Sequence, residues 1–200
     1  MFQPLRTMLL LAALPLLSFQ AAAELPRTSE EFPPVVCDTD KFMRIIECEG
    51  SYCDNVGLGC QRAGSARWGK ETKFTWWISE EQGRKGCGTS SDGTPGAIAG
   101  FACNGGYCDR LSLFCAEVAG ARLTDCRSFG RTVSEEGGGR LDLGPNRVAV
   151  AMNCSGSNCD NKSFRVCKVK SRTRARERRD HREESPSPEE GTRFRRRHRR

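Results

Sequence analysis

The chain has 200 residues, a formal net charge of +7 and twelve cysteines. Its two histidines, His181 and His198, both follow the last cysteine. The composition therefore argues against Ser–His or Cys–His catalysis in the cysteine-rich region. No apolar run reaches the ~20 residues that a membrane-spanning helix needs.

Residues 1–23 have the pattern of a secretory signal. Arg6 gives a positive start, the apolar segment MLLLAALPLLSF follows, and Ala21 and Ala23 are the small residues expected before a cleavage site. We therefore expect the mature chain to begin at Glu24 and to be secreted into the extracellular space.

The cysteines all lie between Cys37 and Cys167. In an oxidising compartment this even number and density predict disulfides, with no cofactor. Zinc is the rival interpretation, but four residues lie between the closely spaced cysteines where zinc fingers usually have two, and no histidine is near. We expect six disulfides among Cys37, Cys48, Cys53, Cys60, Cys87, Cys103, Cys108, Cys115, Cys126, Cys154, Cys159 and Cys167.

A threefold internal repeat organises this region. The triplet SEE at 29–31, 79–81 and 134–136 precedes the strings CEGSYCDNVGLGC, CNGGYCDRLSLFC and CSGSNCDNKSFRVC. The spacing predicts three cysteine-rich modules at 24–60, 70–118 and 122–170, with four cysteines each. Four cysteines allow three pairings, and the sequence does not choose among them, although pairing within a module is favoured.

Each string has the pattern of a β-hairpin, and we predict a small, disulfide-rich all-β fold. Val148, Val150 and Met152 alternate as in a strand, and a glycine lies between each close pair of cysteines, where a tight turn needs positive φ. We expect both close cysteines to anchor the hairpin to the rest of its module. In the third string the last cysteine comes one residue late, which predicts either a β-bulge or a shifted disulfide.

Residues 171–200 differ from the rest and are predicted to be a disordered, arginine-rich tail. They contain twelve arginines and six acidic residues, so the cysteine-rich region itself is close to neutral and gives no reason to expect specific nucleic-acid binding. The tail is a candidate for binding anionic polymers or membrane surfaces. RERR at 176–179 and RFRR at 193–196 also look like sites for a furin-type protease.

The motif CxGxYCDN, with an upstream SEE and a tryptophan-rich segment, resembles a cysteine-rich repeat of secreted proteins from protists, fungi and invertebrates. The resemblance covers about 29–167 and is best in the second module, where Arg110 replaces the usual asparagine; the third has Asn158 for the tyrosine. It implies a secreted module that can accompany lectin-like or pore-forming domains.

Two acidic features have both a structural and a chemical interpretation. Asp54, Asp109 and Asp160 follow the second cysteine of each string, where a carboxylate can cap a turn or, less plausibly, bind calcium. The SEE triplets suggest paired catalytic carboxylates, as in glycosidases, but they are better explained as helix caps or solvated turns.

The tryptophans supply the predicted ligand site. Trp76 and Trp77 are adjacent, so in a strand they would face opposite sides, one filling the core and the other exposed for stacking on a sugar, with Tyr107 nearby. The structural alternative is that neighbouring modules cover both indoles. Asn161 is a predicted glycosylation site, expected to be exposed and preferred over Asn153.

The sequence thus favours a secreted, non-enzymatic protein that binds extracellular glycans or cell-surface glycoproteins. The alternatives are a toxin or effector that acts on membranes through the tail, and a small hydrolase or hydrolase inhibitor. Removal of residues 171–200 should spare a lectin and disable a tail-driven toxin.

Overall fold

A computed structural model describes residues 24–136 and 139–172, except for the side chains of 129–131. The predicted signal peptide and all but two residues of the predicted tail lie outside the described residues. The described chain is all-β, as predicted. Its strands are β1 Arg27–Thr28, β2 Val35–Val36, β3 Phe42–Glu49, β4 Asn55–Gln61, β5 Arg67–Phe74, β6 Arg84–Gly86, β7 Gly96–Asn104, β8 Arg110–Ala119, β9 Ala121–Val133, β10 Arg140–Asp142, β11 Arg147–Ser155 and β12 Asn161–Ser171.

The three predicted hairpins are present and share one geometry. They are β3–β4, β7–β8 and β11–β12, each antiparallel. A single 3-10 turn closes each hairpin, and we call these tip turns: Ser51–Cys53, Gly106–Cys108 and Ser157–Cys159. Each hairpin also has a register shift at the same point of its first strand, which leaves Arg44, Ala99 and Val150 as bulge residues.

The strands form three four-stranded sheets: the first, β1-β4-β3-β10; the second, β2-β7-β8-β5; and the third, β6-β11-β12-β9. Each hairpin is flanked by one strand of its own repeat and one strand of another. β2 of the first repeat joins the second sheet, β6 of the second joins the third, and β10 of the third joins the first. The three repeats therefore exchange strands in a cycle.

The bulges explain how the exchanged strands are held. The carbonyl oxygens of Ala99, Val150 and Arg44 accept hydrogen bonds from the backbone N–H groups of Cys37, Cys87 and Leu143, at 2.7 to 2.9 Å. Bulges leave ladder groups unpaired, and the segment that follows each exchanged strand satisfies them. Because Leu143 makes the third of these bonds, it is the structural counterpart of Cys37 and Cys87.

Six disulfides form, and none of the described cysteines is free. Cys37–Cys60 and Cys87–Cys115 join an exchanged segment to the hairpin of its own repeat. They therefore link the second sheet to the first and the third sheet to the second. Cys48–Cys53, Cys103–Cys108 and Cys154–Cys159 close the tip turns.

The tip-turn disulfides correct the prediction that the two close cysteines anchor the hairpin to the rest of its module. They pair with each other across the turn, because the hairpin register brings their Cα atoms to 4.8–5.2 Å. Pairing within modules, in contrast, is confirmed.

The late cysteine of the third repeat, Cys167, forms a disulfide whose position is shifted relative to those of the other two repeats. Cys167 bonds to Cys126 on the neighbouring strand β9. Ala149 pairs with Val166 beside the bulge, where Met43 pairs with Cys60 in the first repeat. Leu143 and Val166, both buried, thus stand where the other repeats have their sheet-to-sheet disulfide.

One hydrophobic cluster connects all three sheets. β3, β7 and β11 contact one another, so the first strands of the hairpins surround the centre of the molecule. Their large apolar side chains, among them Phe42, Ile46, Phe101 and Met152, are fully buried. No helix among the described residues is long and apolar enough to cross a membrane.

Candidate functional site

The three tip turns meet at one end of the molecule. Cys108 Sγ lies 2.8 Å from the carbonyl oxygen of Asp54, so the first two turns are in direct contact. The exposed rings of Tyr52 and Tyr107 pack edge to face, with their centroids 5.4 Å apart. The structure therefore adds Tyr52, which the sequence analysis did not select although it holds the same motif position as Tyr107.

The glycine and the aspartate of the repeated motif fit each other. Gly105 has φ +77°, and a Cβ placed on it would lie 1.9 Å from Asp109 Oδ1. Gly50 and Gly156 have the same relation to Asp54 and Asp160. The aspartate side chain therefore lies against the glycine Cα, which accounts for both residues as turn-forming elements.

In each tip turn, residues other than glycine also adopt positive φ. In the second turn Tyr107 and Cys108 have φ of 61° and 54°. A left-handed conformation costs a non-glycine residue roughly 1–2 kcal/mol. The disulfide, the aspartate and the packing of the other two turns hold this conformation, so the tyrosines project from a fixed base.

The aspartates themselves are engaged in their own turns. Asp54 Oδ1 accepts a 2.7 Å hydrogen bond from Asn55 Nδ2, and Asp160 Oδ1 accepts one of 2.6 Å from Asn161 Nδ2. Asp109 Oδ1 is buried, and Arg110 Nε lies 3.7 Å away. No cluster of three or more His, Cys, Asp or Glu residues within 24–136 and 139–172 has a geometry that would hold a metal ion.

The SEE triplets lie outside the strands and cap no helix; their glutamates are exposed, whereas Ser29 and Ser134 are buried. Their first glutamates, in two of the three repeats, reach the tip turn of another repeat. Glu135 Oε2 accepts a 2.9 Å hydrogen bond from the backbone N–H of Tyr52, and Glu30 Oε2 accepts one of 3.3 Å from that of Cys108. These glutamates therefore support the tip turns.

Trp76 and Trp77 lie on the outer edge of the second sheet. The strand β5 ends at Phe74, and the two indoles follow it between two backbone hydrogen bonds, Thr75 N–Leu113 O and Ile78 N–Leu111 O. Trp76 is 83% exposed and Trp77 38%. We call Phe74, Trp76 and Trp77 the aromatic edge.

The expectation that one of these indoles fills the core is wrong. Because β5 has already ended, strand alternation does not apply to the pair, and Ile78 provides the buried side chain. The tryptophan that packs inward is Trp68, whose ring lies 5.7 Å from that of Phe114 and whose Nε1 donates to Lys41 O. Neighbouring repeats do not cover Trp76.

The predicted ligand residues thus fall in two places. Tyr107 belongs to the tip turns, where its ring contact is Tyr52, and no ring contact among the described residues joins it to either indole. Tyr107 closes the β7–β8 hairpin, and the segment that follows the aromatic edge lies beside the same hairpin, since Ile78 pairs with Leu111 at the start of β8.

Asn161 is less accessible than expected. It is the first residue of β12 and half-buried, and the Nδ2 atom that would carry a glycan donates to Asp160. Asn153 is also half-buried, within β11. A glycan could therefore replace only the Nδ2 hydrogen that does not bond to Asp160, if the third tip turn is to keep this hydrogen bond.

A buried lysine, Lys162, lies beside the third tip turn and was not selected by the sequence analysis. Lys162 is 0% exposed, and its Nζ donates a 2.7 Å hydrogen bond to Cys159 O. Burial lowers its pKa to about 8, while Asp160 opposes the shift. An alignment of the repeats could have predicted that Lys162 is buried, because the apolar residues Val56 and Leu111 hold the equivalent position.

Searches of protein-family models, curated proteins and solved structures find no match to this chain.

Proposed function

We propose that this is a secreted, non-enzymatic binding protein that recognises extracellular glycans through the aromatic edge. The observation that carries the proposal is the exposure of Trp76, 83% of whose surface is open on a segment fixed by backbone hydrogen bonds at both ends. A flat, rigid, exposed indole is suited to stacking on the apolar face of a sugar ring.

Three further features support this assignment. Six disulfides are typical of proteins from oxidising compartments such as the extracellular space. Glu80 and Glu81 follow the indoles closely in sequence and are exposed, and their carboxylates can accept hydrogen bonds from sugar hydroxyls. The resemblance of the repeat to secreted, lectin-associated proteins also supports a glycan-binding function.

The aromatic edge is also specific to one repeat. The first and third repeats align Pro26–Arg27 and Arg131–Thr132 with the two tryptophans. If the indoles only served the shared fold, all three repeats would need them. Their presence in the second sheet alone is better explained by a ligand.

The test is a glycan array with the full secreted chain, followed by affinity measurement on the best glycan. Trp76→Ala should weaken binding roughly tenfold to a hundredfold, since stacking and burial of one ring contribute on the order of 1–3 kcal/mol. Phe32→Ala is the matched control, because Phe32 is an exposed aromatic, 57% accessible, in another repeat.

Both variants should retain the free energy of unfolding of the wild type, since both side chains are exposed. If Trp76→Ala and Trp77→Ala bind glycan as well as the wild type does, the aromatic edge is not the glycan site.

A further inference from the structure

The third sheet concentrates positive charge that the composition of the cysteine-rich region hides. Its strands β6, β9, β11 and β12 contain ten lysines and arginines and a single acidic residue. The first sheet has three basic and three acidic residues, and the second has four and two. The three sheets therefore differ in charge although they share one architecture.

Five of these cations form one surface on three adjacent strands, β11, β12 and β9. We call this the basic face, and it comprises Arg122, Arg127, Arg147, Lys168 and Lys170. All are exposed except Arg147, which is half-buried. Asp125 is the acidic residue that pairs with this face within the described part of the chain, at 3.1 Å from Lys168 Nζ. Lys168 lowers the pKa of Asp125, and Lys170 and Arg127 add to the effect.

The ladder register places like charges directly opposite each other. Arg147 pairs with Lys168, and Arg122 pairs with Lys170. Such pairs destabilise an antiparallel sheet unless a counter-charge lies between them. The equivalent pair of the second sheet is Gly96 with Glu117, where Gly96 lies three residues before the bulge residue Ala99. The fold therefore does not require cations there.

The spacing of the cations matches a chain of negative charges. Lys168 and Lys170 are two residues apart on β12, which is about 7 Å along the strand, and neighbouring strands are about 5 Å apart. Asp125, Arg127, Arg147 and Lys168 also line a shallow surface depression. An extended anion that lies across these strands would meet several cations at once.

We propose that the basic face binds a linear sulfated polysaccharide of the glycosaminoglycan class. Sulfate groups repeat along such a chain and would neutralise the opposed pairs. The oxidising compartment indicated by six disulfides is one in which these polymers, more than nucleic acids, are the abundant polyanions. The proposal shares with the proposed function only the extracellular location, because its surface is separate from the aromatic edge.

The experiment compares three full-length proteins that all keep the basic tail: the wild type, Arg122→Gln/Lys168→Gln/Lys170→Gln, and the control Arg67→Gln/Lys70→Gln/Lys73→Gln. The control removes three exposed cations from β5, beside the aromatic edge. Binding to a heparin oligosaccharide is measured at several salt concentrations.

The first triple variant should bind heparin roughly tenfold more weakly than the wild type at physiological salt, with a shallower salt dependence, because three ion pairs with the polyanion are lost. The control should bind normally, and desulfated heparin should bind none of the three proteins appreciably.

Unchanged heparin binding by the first variant, or an equal loss in the control, would overturn the proposal. So would duplex DNA that binds the wild type as tightly as heparin does at the same salt. Binding of the neutral glycan found on the array is measured in parallel, and should be normal in the first triple variant. Loss of heparin binding alone therefore reports on the basic face and not on the aromatic edge.

Discussion

Replacement of Lys162 by leucine should make the protein more stable at neutral pH. Leucine is what the second repeat has at this position, as Leu111. The pKa of Lys162 is lowered to about 8 from an ordinary value of 10.5. At ~1.4 kcal/mol per pH unit, the charged lysine therefore costs the folded state about 3 kcal/mol at pH 7.

Part of that gain is offset, because leucine leaves Cys159 O without its hydrogen bond from Nζ, which costs about 1 kcal/mol. We expect a net increase of about 1–3 kcal/mol in the free energy of unfolding at pH 7. The gain should be smaller at high pH. The folded protein binds fewer protons than the unfolded chain between pH 8 and 10.5, so the stability of the wild type rises across this interval.

The assay is guanidinium unfolding at pH 7 and pH 10 with disulfides intact, read as the difference between the variant and the wild type so that other titrations cancel. The reverse change, Leu111→Lys, is the matched control and should lower stability by about 3 kcal/mol at pH 7. A Lys162→Leu protein that is less stable than the wild type at pH 7, with a difference independent of pH, would refute the reasoning.

Two further predictions concern the fold. Gly105→Ala should lower the free energy of unfolding by about 2 kcal/mol or more, because the added Cβ would collide with Asp109 Oδ1 at positive φ. The control Gly106→Ala should change it little, because a Cβ there meets nothing within 4 Å. Equal losses for the two variants in denaturant titrations would contradict this account of the turn. The double variant Leu143→Cys/Val166→Cys should form a seventh disulfide, detectable by mass spectrometry, and raise the free energy of unfolding by about 2–4 kcal/mol. Two free thiols in the folded protein would show that these positions are not equivalent to those of the sheet-to-sheet disulfides.

The features that the sequence predicted correctly are local. Alternation over four to eight residues defined the hairpins, and the glycine between the close cysteines marked the turn. The exchange of strands between repeats could not be predicted from the sequence, because β2, β6 and β10 have only two or three residues each and show no periodicity of their own. Their positions depend on hydrogen bonds to bulge residues of another repeat.

The basic face was missed at the surface for a different reason, since its residues all belong to the third repeat in sequence. A charge count over the whole cysteine-rich region gives near-neutrality, because the acidic first repeat offsets the cations of the third. Only a count by sheet shows the basic face. The two tryptophans were misplaced for a different reason, since only the structure shows that β5 ends two residues before Trp76.

The repeats offer a way to separate residues that serve the fold from residues that serve binding. What all three repeats share has a structural explanation: the glycine contacts the aspartate, the close cysteines pair across the turn, and the bulge holds an exchanged strand. A feature found in one repeat alone is not needed by that architecture, because the other two fold without it. Trp76 and Lys162 are two such features. Trp76 is exposed and can act on a ligand, whereas Lys162 is buried, so its consequence is in stability and in the dependence of stability on pH.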